Sequence, residues 1–341
     1  MHLVVRTQRP RICSVTRSTA SLQQVRLHSS LNSSDKVVGK SEGYSKLPRL
    51  YVGSIPTEPT SCTHIHNLPQ LFSSAPASCR ANAILELTPE QSRYLITVLR
   101  WNKRKSDIRV FDQRSEWLAR VSVLEDKRRN PLVTVECTEP LRIYSGPVSR
   151  PSILCIAPPK KKERLRWLME KTVELGVDGF LFLDTEYSEA SSIDFDKVQS
   201  YVLEAVEQSE RLNVPIIFSA PSLMNHSLQQ EQNPGLNTFV LRDFLQIWQE
   251  SAVGNALITR ERADTVPILE ALQGLTRLSD EPIMFLVGPE GGWSPAEEEM
   301  MDTWEAQCQG RIRNVSLGNT ILRSETAAMT AIAAYSLVKS N

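Results

Sequence analysis

Apolar residues recur along this chain in two rhythms. Between residues 83 and 137 they come in short runs broken by polar turns. Ile84-Leu85-Glu86-Leu87 reads as a strand, as do residues 108–112, 117–124 and 132–137. Consecutive short strands predict a small β-barrel. Thr88-Pro89-Glu90 starts a short helix with Pro in its first turn, and that helix is expected to turn Tyr94, Leu95, Val98 and Leu99 toward a core. Upstream, residues 49–52 resemble a first strand. Residues 53–82 are rich in Pro, Ser, Thr and Cys without periodicity and read as an exposed insertion.

From Pro151 the rhythm changes. Apolar strands at 152–157, 180–183, 238–241, 256–258, 282–287 and 313–317 alternate with helical sequence. In the helix at 163–175, Leu165, Leu168, Met169, Thr172 and Leu175 share one side, and Gly176 stops it. Residues 194–211 repeat the pattern through Val198, Tyr201, Val202 and Ala205. Alternation of this kind predicts an α/β fold with a mostly parallel sheet and helices on both faces. The expected division is a barrel over 48–144 and an α/β unit over 150–341.

Composition adds little to this picture except at the start. With 41% hydrophobic and 23% charged residues, 341 residues suffice for two domains and a sizeable core. No apolar run approaches the roughly 20 residues of a membrane helix. The net charge is zero, from 39 basic and 39 acidic side chains. Five arginines (Arg6, Arg9, Arg11, Arg17 and Arg26) precede the first acid, Asp35, amid seven serines. Such a leader, taken as residues 1–38, reads as a disordered transit peptide for a mitochondrion or plastid. If it is no targeting signal, the protein is cytoplasmic. The remainder is then acidic on balance, so a nucleic-acid site has to be a local basic patch. None of the six cysteines shows CxxC spacing, which argues against a zinc site or a disulfide scaffold.

Two loops carry the chemistry. Gly288-Pro289-Glu290-Gly291-Gly292-Trp293-Ser294 follows a strand, and Ser294-Pro295-Ala296-Glu297 opens a helix with a capping box. Its glycines let a ligand lie against the main chain. It matches neither GxGxxG nor GxxxxGK, so neither a dinucleotide nor a P-loop nucleotide is indicated. The second loop, Leu317-Gly318-Asn319-Thr320-Ile321-Leu322-Arg323-Ser324-Glu325-Thr326, leads into an Ala-rich helix that Ser324 can cap. Loops at the carboxyl edge of a parallel sheet are where ligands bind. Taken alone, each has a structural reading: a tight turn for the first, and dipole compensation for Glu325.

Together these loops resemble those of the RsmE family, SPOUT-class methyltransferases that modify N3 of a uridine in 16S ribosomal RNA. Lys171-Thr172-Val173-Glu174-Leu175-Gly176 resembles the family's Lys-x-x-Glu-Leu-Gly. The stretch from Glu204 through Gln208-Ser209-Glu210-Arg211 is similar to its Glu-Ala-x-Glu-Gln-Ser-x-Arg helix. Tyr94-Leu95 through Val98-Leu99-Arg100 resembles its PUA-like RNA-binding domain. The resemblance covers roughly 48–341. It implies a trefoil-knotted sheet, a homodimer, small-subunit ribosomal RNA as substrate and S-adenosylmethionine as cofactor, with no metal and no membrane. It implies a cofactor site of Leu286, Gly288, Gly292, Leu317, Gly318, Ile321, Leu322 and Arg323. Arg323, Glu325 and Glu290 are the catalytic candidates. Arg100, Lys161, Lys171, Glu204, Gln208 and Arg211 are the RNA-binding candidates.

Basic runs at 100–105, 127–129 and 160–166 could meet phosphates or be solvated turns. Glu204, Gln208 and Arg211, spaced i, i+4 and i+7, would form one helical stripe. Two departures from the family stand out. Tyr187 replaces an arginine in Thr185-Glu186-Tyr187-Ser188, and Glu210 stands where a small residue is common. Two alternatives stay open: a non-catalytic ribosomal RNA-binding assembly factor, and a SPOUT methyltransferase acting at another RNA position.

Overall fold

The computed structural model describes residues 35–37, 44–53, 60–61, 78–101, 107–125, 132–144, 150–188, 193–220, 238–251, 254–261, 265–276, 281–308 and 310–339. Residues 1–34 of the arginine-rich leader, the 127–129 run, most of the 100–105 run and most of the insertion lie outside them.

The first part of the chain is β1 (Asp35–Val37), β2 (Arg49–Tyr51), β3 (Thr60–Ser61), β4 (Ile84–Glu86), the one-turn helix α1 (Pro89–Arg93), β5 (Asp107–Phe111), β6 (Ser115–Glu125) and β7 (Leu132–Tyr144). Six of these strands form one sheet in the order β1-β7-β6-β5-β2, with β4 also on β7. Only the β2–β5 pair is parallel. Register shifts between β6 and β7, such as that between Leu118 and Ala119, bend the long ribbon. Its core holds Leu50, Leu87, Leu95, Ile108, Val110, Trp117, Val133 and Val135.

Three expectations need correction. Residues 35–37 pair antiparallel with 142–144, so that piece of the expected leader is a strand. The insertion is tied down at points. Thr60–Ser61 extends the second sheet, and the Ser78 and Cys79 amides donate to Asp112 at 2.7 and 2.8 Å. After α1, residues Tyr94–Val98 form a π turn. Leu95 is buried and Leu99 packs on the same core, whereas Tyr94 and Val98 face outward.

The second part contains β8 (Ser152–Ile156), α2 (Lys162–Glu174), β9 (Gly179–Asp184), α3 (Phe195–Gln208), β10 (Ile216–Ser219), β11 (Phe239–Val240), α4 (Leu241–Ser251), β12 (Asn255–Thr259), β13 (Val266–Pro267), α5 (Ile268–Thr276), β14 (Ile283–Val287), α6 (Pro295–Gln307), β15 (Ile312–Ser316) and α7 (Ser324–Lys339). The sheet runs β13-β15-β12-β14-β8-β9-β10-β3, with β11 also on β9, and every pair is parallel. Alternate residues of each central strand feed opposite cores. Leu154, Phe180, Leu257 and Phe285 pack with α2, α3, α5 and α7, whereas Cys155, Leu181, Ile258 and Met284 pack with α4 and α6. Strands covered on both faces are apolar throughout, which explains runs such as Ile-Met-Phe-Leu-Val in β14. The doubly covered parallel sheet expected from the alternation is present.

The two sheets meet at the end of α3. Arg49 reaches across from β2, its Nη1 donating to the Val206 carbonyl at 2.9 Å and its Nη2 to the Arg211 carbonyl. Glu116, 1% exposed, holds Arg49 Nε at 2.9 Å, Arg109 Nη1 at 3.4 Å and Arg142. Glu210, one of the two departures, accepts from Arg109 Nη2 at 2.9 Å. Its added negative charge is thereby used to dock the first sheet.

Candidate functional site

Three strands of the parallel sheet end side by side, and their following loops line a half-open cavity of about 550 Å³. From β14 come Val287, Gly288, Pro289, Gly292 and Trp293. From β15 come the residues 316–322, with Ser324 and Ala327 on α7 behind them. The third wall, which motif reading missed, is Thr259, Arg260 and Glu261 after β12, with Glu298 of α6 beside them. The sequence holds a signal for it: residues 256–258 have the pattern of a strand of the same sheet, whose carboxyl end opens on the same edge.

Local rules shape each wall. Ser294 Oγ accepts from the Glu297 amide at 3.2 Å and Glu297 Oε2 from the Ser294 amide at 2.9 Å, so the expected capping box is complete. Glu297 also accepts from the Glu186 amide at 2.9 Å, tying the turn after β9 to the glycine loop. Tyr187 of that turn packs on Gly291, where an added Cβ would lie 3.0 Å from the Tyr187 Cβ. The second departure therefore buttresses the loop. Gly292 at φ 75° and Gly318 at φ 127° take backbone angles that other residues avoid. Trp293 Nε1 donates to the Thr259 carbonyl at 3.0 Å, which ties the first wall to the third.

Of the expected cofactor residues, Gly288, Gly292, Leu317, Gly318, Ile321 and Leu322 line the cavity. Leu286 is fully buried beneath it, and its carbonyl accepts from Thr259 Oγ1 at 3.1 Å. Arg323 is exposed between the lining residues Leu322 and Ser324, and no ion pair among the described residues engages it. Its carbonyl accepts from the Ala327 amide at 2.8 Å, starting α7. Ser324 is itself the first helical residue, with its hydroxyl 3.3 Å from the Glu325 carboxylate.

The two acidic candidates are brought together by a residue not singled out from the sequence. Arg164, on the first turn of α2, has Nη1 3.5 Å from Glu290 Oε1 and Nε 3.6 Å from Glu325 Oε1. Glu325 is buried and Glu290 is exposed.

The RNA-binding candidates are scattered. Lys161 is exposed at the N-cap of α2. Lys171 pairs with Glu174 at 2.7 Å, and Glu204 with Arg166 at 3.1 Å. Arg100 is exposed with φ 48° at the end of the π turn. The expected stripe is broken, because α3 ends at Gln208 and Arg211 turns inward. Glu204 and Gln208 remain exposed, while Arg211 Nη1 donates to the carbonyls of Val173 and Val177 at 2.9 and 2.7 Å. Its Nη2 lies 3.1 Å from Asp178 Oδ1. Burial pulls the Arg211 guanidinium down, against Asp178. In this chain Arg211 caps the end of α2.

Residues 147–336 match a family model described as an RNA methyltransferase domain. The ribosomal RNA small subunit methyltransferase E of Rickettsia conorii is 28% identical over 262 residues, covering 76% of this chain and 92% of that protein. Among solved structures, the Neisseria gonorrhoeae ribosomal RNA small subunit methyltransferase E bound to S-adenosylmethionine superimposes with TM-score 0.59 at 24% identity. The match covers 84% of this chain and 96% of that one. A Legionella pneumophila protein in complex with the same cofactor gives TM-score 0.56 at 21% identity, again over 84% of this chain and 96% of its own. At these identities the superpositions establish the common fold.

Proposed function

We propose that this chain, which belongs to the RNA methyltransferase family, transfers a methyl group from S-adenosylmethionine to N3 of a uridine in small-subunit ribosomal RNA. The observation that carries this reading is the cavity itself. Three strand-end loops within the family-matched stretch line a space of about 550 Å³, in the size range of small-molecule sites. Its walls suit a nucleoside without phosphates. Val287, Leu317, Ile321 and Leu322 are apolar, the glycines expose main chain, and no lysine is among the described residues that line the space.

When bound, the cofactor supplies an electrophilic methyl group on a sulfonium. The walls hold the adenosine and exclude water, so that a nucleophile need only be aligned. A uracil N3 has to lose its proton, and the base has to be unpaired to enter. Arg323, exposed and unengaged by the ion pairs described, stabilises the charge that develops on the uracil. Glu290, the exposed member of the Arg164-bridged pair, accepts the proton; Glu325 holds Arg164 from the buried side. Lys160, Lys161 and Lys162 at the head of α2 meet RNA phosphates.

The same reading takes the first sheet as a PUA-like RNA-binding barrel. It makes residues 48–144 and 150–341 two domains and leaves an arginine-rich leader that directs import to a mitochondrion or plastid. The placement of β15 between β12 and β13, strands that precede it in the chain, supports a trefoil knot. Exposed Trp167 on α2 supports a homodimer. The test is incubation of the purified chain and methyl-deuterated S-adenosylmethionine with small ribosomal subunits lacking the modification. The expected product of digestion is labelled 3-methyluridine. Binding of RNA without transfer would favour an assembly factor, and label on another nucleoside a different target.

A further inference from the structure

The methyl donor carries an α-amino-acid zwitterion at one end, and neither charge can be desolvated without a counterpart. Among the described residues that line the cavity, three are charged: Arg260, Glu261 and Glu298. All three belong to the third wall, Arg260 and Glu261 following β12 and Glu298 lying on α6. Resting on the donor reading above, we propose that Arg260 and Glu298 form the subsite that reads this zwitterion, with carboxylate to Arg260 and ammonium to Glu298.

The geometry is that of a held cation with one exchangeable partner. The Arg260 amide donates to the Val315 carbonyl at 3.0 Å, pinning the backbone to β15. The side chain is only 10% exposed. Asp302 of α6 grips Nη1 from outside the cavity lining, while Glu298 Oε1 lies 3.3 Å from Nη2. Arg260 Nε is buried without an acceptor among the described residues, so the guanidinium has fewer acceptors than donors. Glu298 is 42% exposed and sits one turn into α6. An entering zwitterion would replace one ion pair by two. Its carboxylate takes the place of Glu298 at Nη2, and Glu298 turns to the ammonium. Asp302 keeps the arginine in place throughout. Charge-assisted bonds in this partly dry wall are stronger than their counterparts in water.

Titration calorimetry on the full chain with two ligands tests this. S-adenosylhomocysteine carries the amino-acid end, and 5′-methylthioadenosine keeps the adenosine but lacks it. The wild type should prefer the first by at least about tenfold, the equivalent of one decade in affinity. Arg260→Met should weaken S-adenosylhomocysteine on the order of tenfold and leave 5′-methylthioadenosine within about twofold. Glu298→Gln, a milder change at a half-exposed site, should move the ratio in the same direction and decides the matter if Arg260→Met does not fold. Equal losses for both ligands, or a wild type that does not distinguish them, would overturn the assignment. If neither ligand binds the wild type, the donor reading itself fails.

Discussion

Replacing Glu116 by Gln should loosen the junction between the two sheets, and its cost can be worked from the contacts. The carboxylate is 1% exposed and faces Arg49 at 2.9 Å, Arg109 at 3.4 Å and Arg142. Burial alone would raise its pKa, but Arg49, Arg142 and Arg109 outweigh that and hold it below the ordinary glutamate value of 4.5. Burial also pulls the Arg49 guanidinium down to about 10, still charged at neutral pH. Gln keeps the volume and removes the charge, leaving Arg49 buried with main-chain carbonyls, the Phe111 ring and the Glu207 carboxylate but without its ion pair. Breaking a buried pair this way costs about 3–5 kcal/mol. The carbonyls of Val206 and Arg211 keep part of the hydrogen bonding, so the lower end, about 3 kcal/mol, is expected. Because the folded pKa is depressed, the wild-type advantage is complete above pH 4.5 and is lost as pH falls through the folded value. Urea unfolding at pH 7 and in steps down to pH 3.5 would show a shifted midpoint whose gap begins to narrow below pH 4.5. A loss below about 1 kcal/mol at pH 7, in the range of a surface pair, would refute the reasoning, as would a gap indifferent to pH.

Other consequences are cheaper to check. Ser294→Ala removes one bond of the capping box under the glycine loop and should cost about 1 kcal/mol in thermal unfolding. Arg323→Ala should abolish methyl transfer with the melting temperature unchanged, since no described ion pair depends on it; full activity would remove it from the mechanism. Lys161→Ala should weaken RNA binding about equally across sequences and lower the salt slope by about 1, read by fluorescence anisotropy at several salt concentrations.

Much of this architecture was legible in the residues. The alternation after Pro151 predicted the doubly covered sheet because both faces of each strand need apolar side chains. Ser294-Pro295-Ala296-Glu297 specified its capping box locally, and the structure forms it. What failed did so where geometry is not local. Tyr94, Leu95, Val98 and Leu99 are all spaced for a core, yet Leu95 and Leu99 pack inward and Tyr94 and Val98 are exposed. Arg211 carried its charge in the expected spacing, yet α3 stops three residues earlier and the side chain caps α2 instead. The partnership of Arg164 with Glu290 and Glu325 spans residues far apart in the chain, and no spacing rule reaches that distance. Arg260 and Glu298 escape the motifs for the same reason: neither sits in the two glycine loops, and only folding brings them to the cavity wall.

The central claim concerns one methyl group on one uridine. Mass spectrometry of nucleosides from small-subunit ribosomal RNA, compared between cells with and without this protein, addresses it most directly. Loss of a single 3-methyluridine in the deficient cells, restored by the wild type and not by Arg323→Ala, is the predicted result. An unchanged 3-methyluridine content in every compartment's ribosomes would contradict it.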